Sequence, residues 1–303
     1  MMDSAVLTLF AALPIASLVL FLSDEDKKWS VLFILGLIVI VMYGFYAIII
    51  IPDLGNGILK WAYISLTALL PAVIYMLYII AYDSKKPEPL KVLLLAVLIG
   101  IIAAYSVTAI GMPLFMGGFE SELNKDIIDS LSIGFLQIAI PAELSKWLLL
   151  LAFLYFNKYY DEYLDGIVYS VCLSMGFAGV LGVWFMSGFV GFSTSMFLFK
   201  GVTTSLILIP IHLMSGASMG YFLAISNRKR KVVNTASALI VPILIDGSIC
   251  SMLAMMGGDW WYYPIITILL FVLSIVLYRQ TKHLMSLDSA QIEREKNSYG
   301  SKV

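Results

Sequence analysis

Along this chain, apolar runs of about 20 residues recur, separated by short polar stretches, and that length crosses a bilayer hydrocarbon core of roughly 30 Å. Windows of about 19 residues place nine such runs near 5–22, 31–51, 61–82, 92–111, 129–156, 167–190, 203–226, 232–256 and 264–279. The last is short, so an eight-span version leaves it re-entrant or interfacial. No basic residue precedes the first run and no small-x-small cleavage site stands before Ser23, which makes it a span rather than a cleaved leader. The expected fold is all-α, a polytopic transmembrane helical bundle of eight to nine spans. It divides into a four-span region at 1–128, a core of spans five to eight at 129–263, and a last span with a polar tail at 264–303. From Gln280 to Val303 the composition is that of a solvated, partly disordered end.

Composition sharpens this picture. Apolar residues make up 61% of the 303 and charged residues 13%, against about 45–50% and about 25% in soluble domains. A net charge of −1 leaves no global basic field to hold nucleic acid. Of the 19 lysines and arginines, fifteen fall on one side of the proposed spans, three on the other, and Lys146 inside one. Because basic loops stay cytoplasmic, nine spans place the N-terminus outside and the C-terminus in the cytoplasm. The cluster Arg228-Lys229-Arg230-Lys231 reads as a topology determinant, with recruitment of anionic membrane lipids as the alternative. The outer connection from Met112 to Ile128 mixes apolar and charged residues, as a plain loop or as an amphipathic interfacial element. Cys172 and Cys250 both lie inside apolar runs and read as packing residues.

Four ionisable residues stand deep inside the runs: Glu143, Lys146, His212 and Asp246. A charge at the centre of a span costs about 2.5–3.5 kcal/mol on insertion scales, so a functional site is the default expectation for such residues. At about 1.5 Å of rise per residue, Glu143 lies about 21 Å below the outer end of its span, His212 about 14 Å and Asp246 about 15 Å. A shared polar layer is therefore allowed. Pro141, Pro210 and Pro242 each precede one of these residues by two to four positions, where a proline frees a carbonyl and kinks the helix. Gly176, Gly179 and Gly182 line one helical side, and Gly216 and Gly220 form a small-xxx-small pair, so spans five to eight can pack closely.

Structural roles stay open for each polar group. Glu143 and Lys146, at i and i+3, can neutralise one another. His212 can be a neutral residue bonded to a carbonyl, and Asp246 can cap freed carbonyls or pair with Lys146. As chemistry, Glu143 can serve as a base for water and His212 as a proton donor or metal ligand. Glu143, His212 and Asp246 together make an N/O set for a zinc ion with an open position, although no H-E-x-x-H signature is present.

Three segments carry a family resemblance. Pro141-Ala142-Glu143-Leu144-Ser145-Lys146 resembles the E-E-x-x-K segment of the PrsW-type intramembrane proteases, which are related to the CAAX-processing and bacteriocin-immunity membrane proteases. Asp161-Glu162-Tyr163-Leu164-Asp165-Gly166-Ile167-Val168-Tyr169, followed by Gly176-Phe177-Ala178, is similar to that family's D-E-P-x-D-G-I-x-Y and G-F-A stretch. His212 to Tyr221 is similar to its H-x-x-x-G-x-x-x-G-Y helix. The departures are Ala142 in place of the first glutamate, Leu181 where a glutamate follows G-F-A, and Asp246 where a histidine precedes a glycine. Only Glu143, Lys146 and His212 carry over directly.

The resemblance implies a carboxylate activating water for peptide hydrolysis within a bacterial or archaeal cell membrane, with a metal such as zinc as a candidate cofactor. It implies single-span membrane proteins as substrates, for example an anti-sigma factor released by regulated intramembrane proteolysis. Catalytic candidates are Glu143, His212, Lys146 and Asp246. Two other classes stay in view: a catalytically silent relative acting as a helix-binding scaffold or immunity protein, and a proton- or ion-coupled transporter using Glu143, His212 and Asp246 as a relay.

Overall fold

The computed structural model describes residues 58–81, 83, 86–108, 126–187, 201, 203–226, 231–255 and 262–300. The expected spans at 5–22 and 31–51 lie outside the described residues, as does most of the 112–128 connection. Among the described residues there are seven helical rods and no strand. We label them α1 (Ile58–Ile80), α2 (Leu90–Ser106), α3 (Ile127–Phe156), α4 (Leu164–Ser187), α5 (Thr204–Ser226), α6 (Lys231–Met255) and α7 (Tyr262–Gly300). Five contain stretches long and apolar enough to cross a membrane, namely Ile127–Phe156, Leu164–Ser187, Thr204–Ser226, Val233–Met255 and Ile268–Arg294. The apolar stretches Ile64–Ile80 and Leu90–Ser106 are shorter.

Local chemistry sets several of these bounds. Asp126 starts α3 by accepting the Asp129 amide at 2.8 Å, an N-cap interaction. The chain then runs as a wide π-helical stretch, Ser132–Ala139, before Ile140–Phe156 resumes the α form. In α5 a second π stretch, Thr204–Leu208, precedes Ile209–Ser226. Both stretches end just before a proline, Pro141 or Pro210. A proline lacks the N–H and its ring crowds the carbonyl four residues back, which favours a widened turn there. Pro71 and Pro242 sit inside helices that stay regular.

The helix α4 is the axle of the bundle, buried along most of its length. Its neighbours come close because glycine removes side chains at the crossings. A Cβ on Gly100 of α2 would fall 1.9 Å from the Leu173 carbonyl of α4, and one on Gly220 of α5 would fall 2.1 Å from the Gly166 carbonyl. Gly176 faces Val97 of α2, Gly179 and Gly182 face Leu69 and Ala68 of α1, and Gly216 faces Ser174. The expected glycine stripes are thus contact surfaces to three different helices. Large apolar side chains such as Leu94, Leu98, Ile102, Leu148 and Leu244 point outward, as a lipid-facing surface requires.

One expectation is corrected. The tail after Gln280 is not a loose end over its described part, because α7 runs unbroken to Gly300. Leu277, Thr281, Leu284 and Asp288 recur at helical spacing and all four are buried. Leu277 and Leu284 join the main apolar core, and Asp288 accepts the Tyr163 and Leu164 amides at 2.7 and 3.1 Å. A polar average concealed a narrow buried stripe.

Candidate active site

Four helices build the site. The first α-helical turn after the π stretch of α3 carries Glu143, with Lys146 one turn on; α5 supplies His212 and Ser215, α6 supplies Asp246 and Cys250, and α4 supplies Phe177. Because the π stretches lie immediately before Glu143 and His212, both side chains leave their helices from a locally reset register. Glu143, Lys146, His212 and Asp246 are all 0% exposed.

Lysine is the hub. The Lys146 ammonium donates to Glu143 Oε1 at 2.6 Å and to Ser215 Oγ at 3.2 Å, and stands 3.4 Å from His212 Nδ1. Its charge also faces the Phe177 ring at 5.1 Å, a cation–π contact. His212 Nδ1 lies 3.9 Å from both Glu143 Oε1 and Asp246 Oδ2. Phe177 meets the imidazole edge-on, with ring centroids 5.2 Å apart. The two carboxylates therefore flank one imidazole, with the ammonium on the Glu143 side.

Three polar atoms of this cluster are buried without a hydrogen-bond partner among the described residues: Glu143 Oε2, Asp246 Oδ2 and His212 Nε2. Orphaned polar atoms in a dry interior cost free energy, so their presence in a bundle core marks a place for water, substrate or an ion. Glu143, His212 and Asp246 each offer one ligand atom within 4.8 Å of the others. An imidazole with two carboxylates is the mixed N/O chemistry of catalytic zinc, so the residues present fit a metal of that class.

The structure thus brings all four sequence candidates together. The Glu143–Lys146 pairing weighed from the sequence exists, but it coexists with contacts to His212 and Ser215. Asp246, for which a pairing with Lys146 was open, instead stands beside His212 and accepts the Cys250 thiol at 3.3 Å. Cys250 is therefore more than packing. Ser215 and Phe177 were not singled out from sequence, although Ser215 follows His212 at i+3 and so shares its helical face.

The departures from the family pattern also gain a location. Ala142 and Leu181 belong to one small apolar cluster with Ala103, Ala104, Val107 and Phe177. The two positions where the resemblance leads one to expect glutamates thus share an apolar patch next to the charged site, and Phe177 belongs to both.

A family model described as PrsW family intramembrane metalloprotease matches residues 88–277. The Protease PrsW of Clostridioides difficile (strain 630) is 29% identical over 218 residues, covering 71% of this chain and 86% of that protein. That of Bacillus subtilis (strain 168) is 26% identical over 202 residues, covering 64% and 83%. Protease PrsW of Oceanobacillus iheyensis is 27% identical over 183 residues, covering 58% and 76%. No solved structure matches the chain. The match takes in α2 through the first part of α7 and so every residue of the charged cluster: the chain belongs to the PrsW family of intramembrane metalloproteases.

Proposed function

We propose that this protein hydrolyses peptide bonds of single-span membrane proteins inside the bilayer, at the cluster of Glu143, Lys146, His212 and Asp246. The observation that carries the reading is the meeting of two carboxylates and an imidazole from α3, α5 and α6, each with a buried polar atom left without a partner.

In this reading Glu143 is the general base. Its Oε1 is tied to Lys146 while Oε2 has no partner among the described residues, so the side chain is oriented with one oxygen available. A water attacks the scissile carbonyl carbon and gives a proton to Glu143. The tetrahedral species then collapses, the C–N bond breaks, and the proton passes from Glu143 to the leaving amine. Lys146 supplies the positive charge that a buried carboxylate needs and a donor for the oxyanion. Ser215 and Phe177 keep its ammonium in place. Cys250 holds one oxygen of Asp246 and so orients the other toward His212. Glu143, His212 and Asp246 are the residues that would hold a zinc-class ion, which when bound polarises a carbonyl or a water.

The N-terminus-out orientation follows from the basic bias, and the release of an anti-sigma factor is the role the family resemblance suggests. Co-expression with a panel of tagged single-span proteins tests the reading. Wild type should yield fragments that are absent with Glu143→Gln; identical fragments from both would remove Glu143 from the chemistry.

A second reading has one observation in its favour. Ala142 and Leu181 pack together in an apolar patch, so the neighbourhood that would hold further carboxylates is built as a dry contact. That arrangement suits a helix-binding scaffold or immunity protein without turnover. It predicts a co-purifying transmembrane partner and no cleavage.

A further inference from the structure

The segment Asp161-Glu162-Tyr163-Leu164-Asp165-Gly166 plays no part in the chemistry above. The structure gives it a separate setting at the ends of three helices. Asp83 follows α1, Glu88 precedes α2, and Asp165 stands in the first turn of α4. One carboxylate oxygen from each lies within 4.8 Å of those of the other two. Asp165 is about 18 Å along α4 from Phe177 at 1.5 Å per residue, so this group is distinct from the charged core.

Each aspartate already has one oxygen engaged by backbone. Asp83 Oδ2 accepts the Glu88 amide at 3.1 Å, and Asp165 Oδ2 accepts the amides of Asp161 and Glu162 at 3.0 and 2.7 Å. The other oxygens, Asp83 Oδ1 and Asp165 Oδ1, are buried with no N–H or O–H donor among the described residues, in residues 3% and 0% exposed. Glu88 takes the Tyr169 hydroxyl and faces the Asp165 carboxyl. Asp161, Glu162 and Asp288 stand close enough to add their charge. The neighbouring ammonium of Lys86 is drawn to Asp161 at the exposed rim. Burial, and then the charges of Glu88, Asp288 and Asp161, push Asp83 up to about 6. Burial raises Glu88 as well. Facing carboxyls with donorless buried oxygens persist only with a shared proton or a cation between them.

We propose that Asp83, Glu88 and Asp165 bind a hard divalent cation of the calcium or magnesium class, which ties the ends of α1, α2 and α4 together. Oxygens around one calcium ion at 2.3–2.6 Å are at most about 5 Å apart, so the observed spacing fits a single ion. A set made only of carboxylates selects hard cations, whereas the core site with its imidazole suits zinc. Asp288 holds α7 to the same turn of α4 through the Tyr163 and Leu164 amides, so the ion would brace α7 as well. The proposal does not rest on the protease reading.

The test uses the purified full-length protein in detergent, with terbium(III) as the probe and excitation through nearby tyrosines such as Tyr169. The expected result is saturable emission at one ion per chain, displaced by calcium or magnesium. Affinity should fall at least about tenfold in Asp83→Asn, by the scale of ligand-set losses, and hold in Asp246→Asn. The melting temperature of wild type should rise with calcium or magnesium, and that of Asp83→Asn should not. Asp165 also holds two amides, so if Asp165→Asn does not fold, Glu88→Gln serves as the second variant. Absence of saturable emission, unchanged affinity in both Asp83→Asn and Glu88→Gln, or loss only in Asp246→Asn would each overturn the proposal. So would a cluster stabilised by acid and indifferent to cations, which would mean a shared proton.

Discussion

The charged core and the acidic helix-end cluster solve the same problem in different ways. In the core, Glu143 is neutralised by a lysine on its own helix, and Lys146 links α3 to α5 through Ser215 and His212. At the helix ends, one oxygen of Asp83 and one of Asp165 are held by backbone amides of the turns that lead into α2 and α4. A span interior has no spare amides, so a carboxylate there must bring its own cation; a helix end has amides but, in this protein, an excess of acid. The proposed roles follow that difference: proton transfer for the first arrangement, and holding helices together through a cation for the second.

The largest expected effect breaks the core pairing. Lys146→Met leaves Glu143 buried without its cation, and removing one partner of a buried pair costs about 3–5 kcal/mol. Thermal unfolding in detergent should show a large drop, and Lys146→Met with Glu143→Gln should recover much of it, since position 143 then carries no uncompensated charge. If the double variant is no better than the single one, the ion pair is not what holds Glu143 in place. Next in size, Ala142→Glu puts a carboxyl into the apolar patch beside Phe177 and Leu181. An unpaired polar group there costs about 1–3 kcal/mol, so the melting temperature should fall unless Lys146 divides its charge between two glutamates. A melting temperature equal to wild type would show that Lys146 serves both.

Smaller effects sharpen the helix-end side. Asp288→Ala removes the acceptor for the Tyr163 and Leu164 amides, a cap-like loss of about 0.5–2 kcal/mol. Hydrogen exchange should rise at the start of α4 and along the 281–288 stretch of α7, while the core of α4 stays protected. Uniform exchange along α4 would mean that α7 does not brace it. Ser170→Ala removes a 2.6 Å bond from its hydroxyl to the Gly216 carbonyl, worth about 0.5–1.5 kcal/mol. The gap left between α4 and α5 should be felt as a small loss of stability.

Much of this was legible in sequence for one physical reason. A bilayer demands long apolar runs and penalises charge, so both the helices and the exceptions stand out. The runs at 129–156, 203–226 and 232–256 coincide closely with α3, α5 and α6, and the ionisable residues inside them are the ones that meet. Legibility ended where that penalty ends. Beyond Gln280 the polar average concealed Thr281, Leu284 and Asp288, which continue the buried stripe from Leu277. Ser215 and Phe177 are ordinary residues in a span, and only the fold brings them against Lys146; Cys250 reaches Asp246 as its i+4 neighbour on α6, a contact a lone apolar-run cysteine does not advertise. The helix-end cluster joins Asp83, Glu88 and Asp165 across a wide gap in sequence, which no spacing rule connects.

Purified protein in liposomes with a tagged single-span substrate gives the most direct test of the central claim, that Glu143 at this cluster is the base for peptide hydrolysis. Wild type should generate a fragment cut within the transmembrane segment. Glu143→Gln, folded and inserted as judged by its melting curve, should slow that cut by about 10²–10⁴, the usual contribution of a positioned base. A folded Glu143→Gln protein that cuts at the wild-type rate would contradict the account.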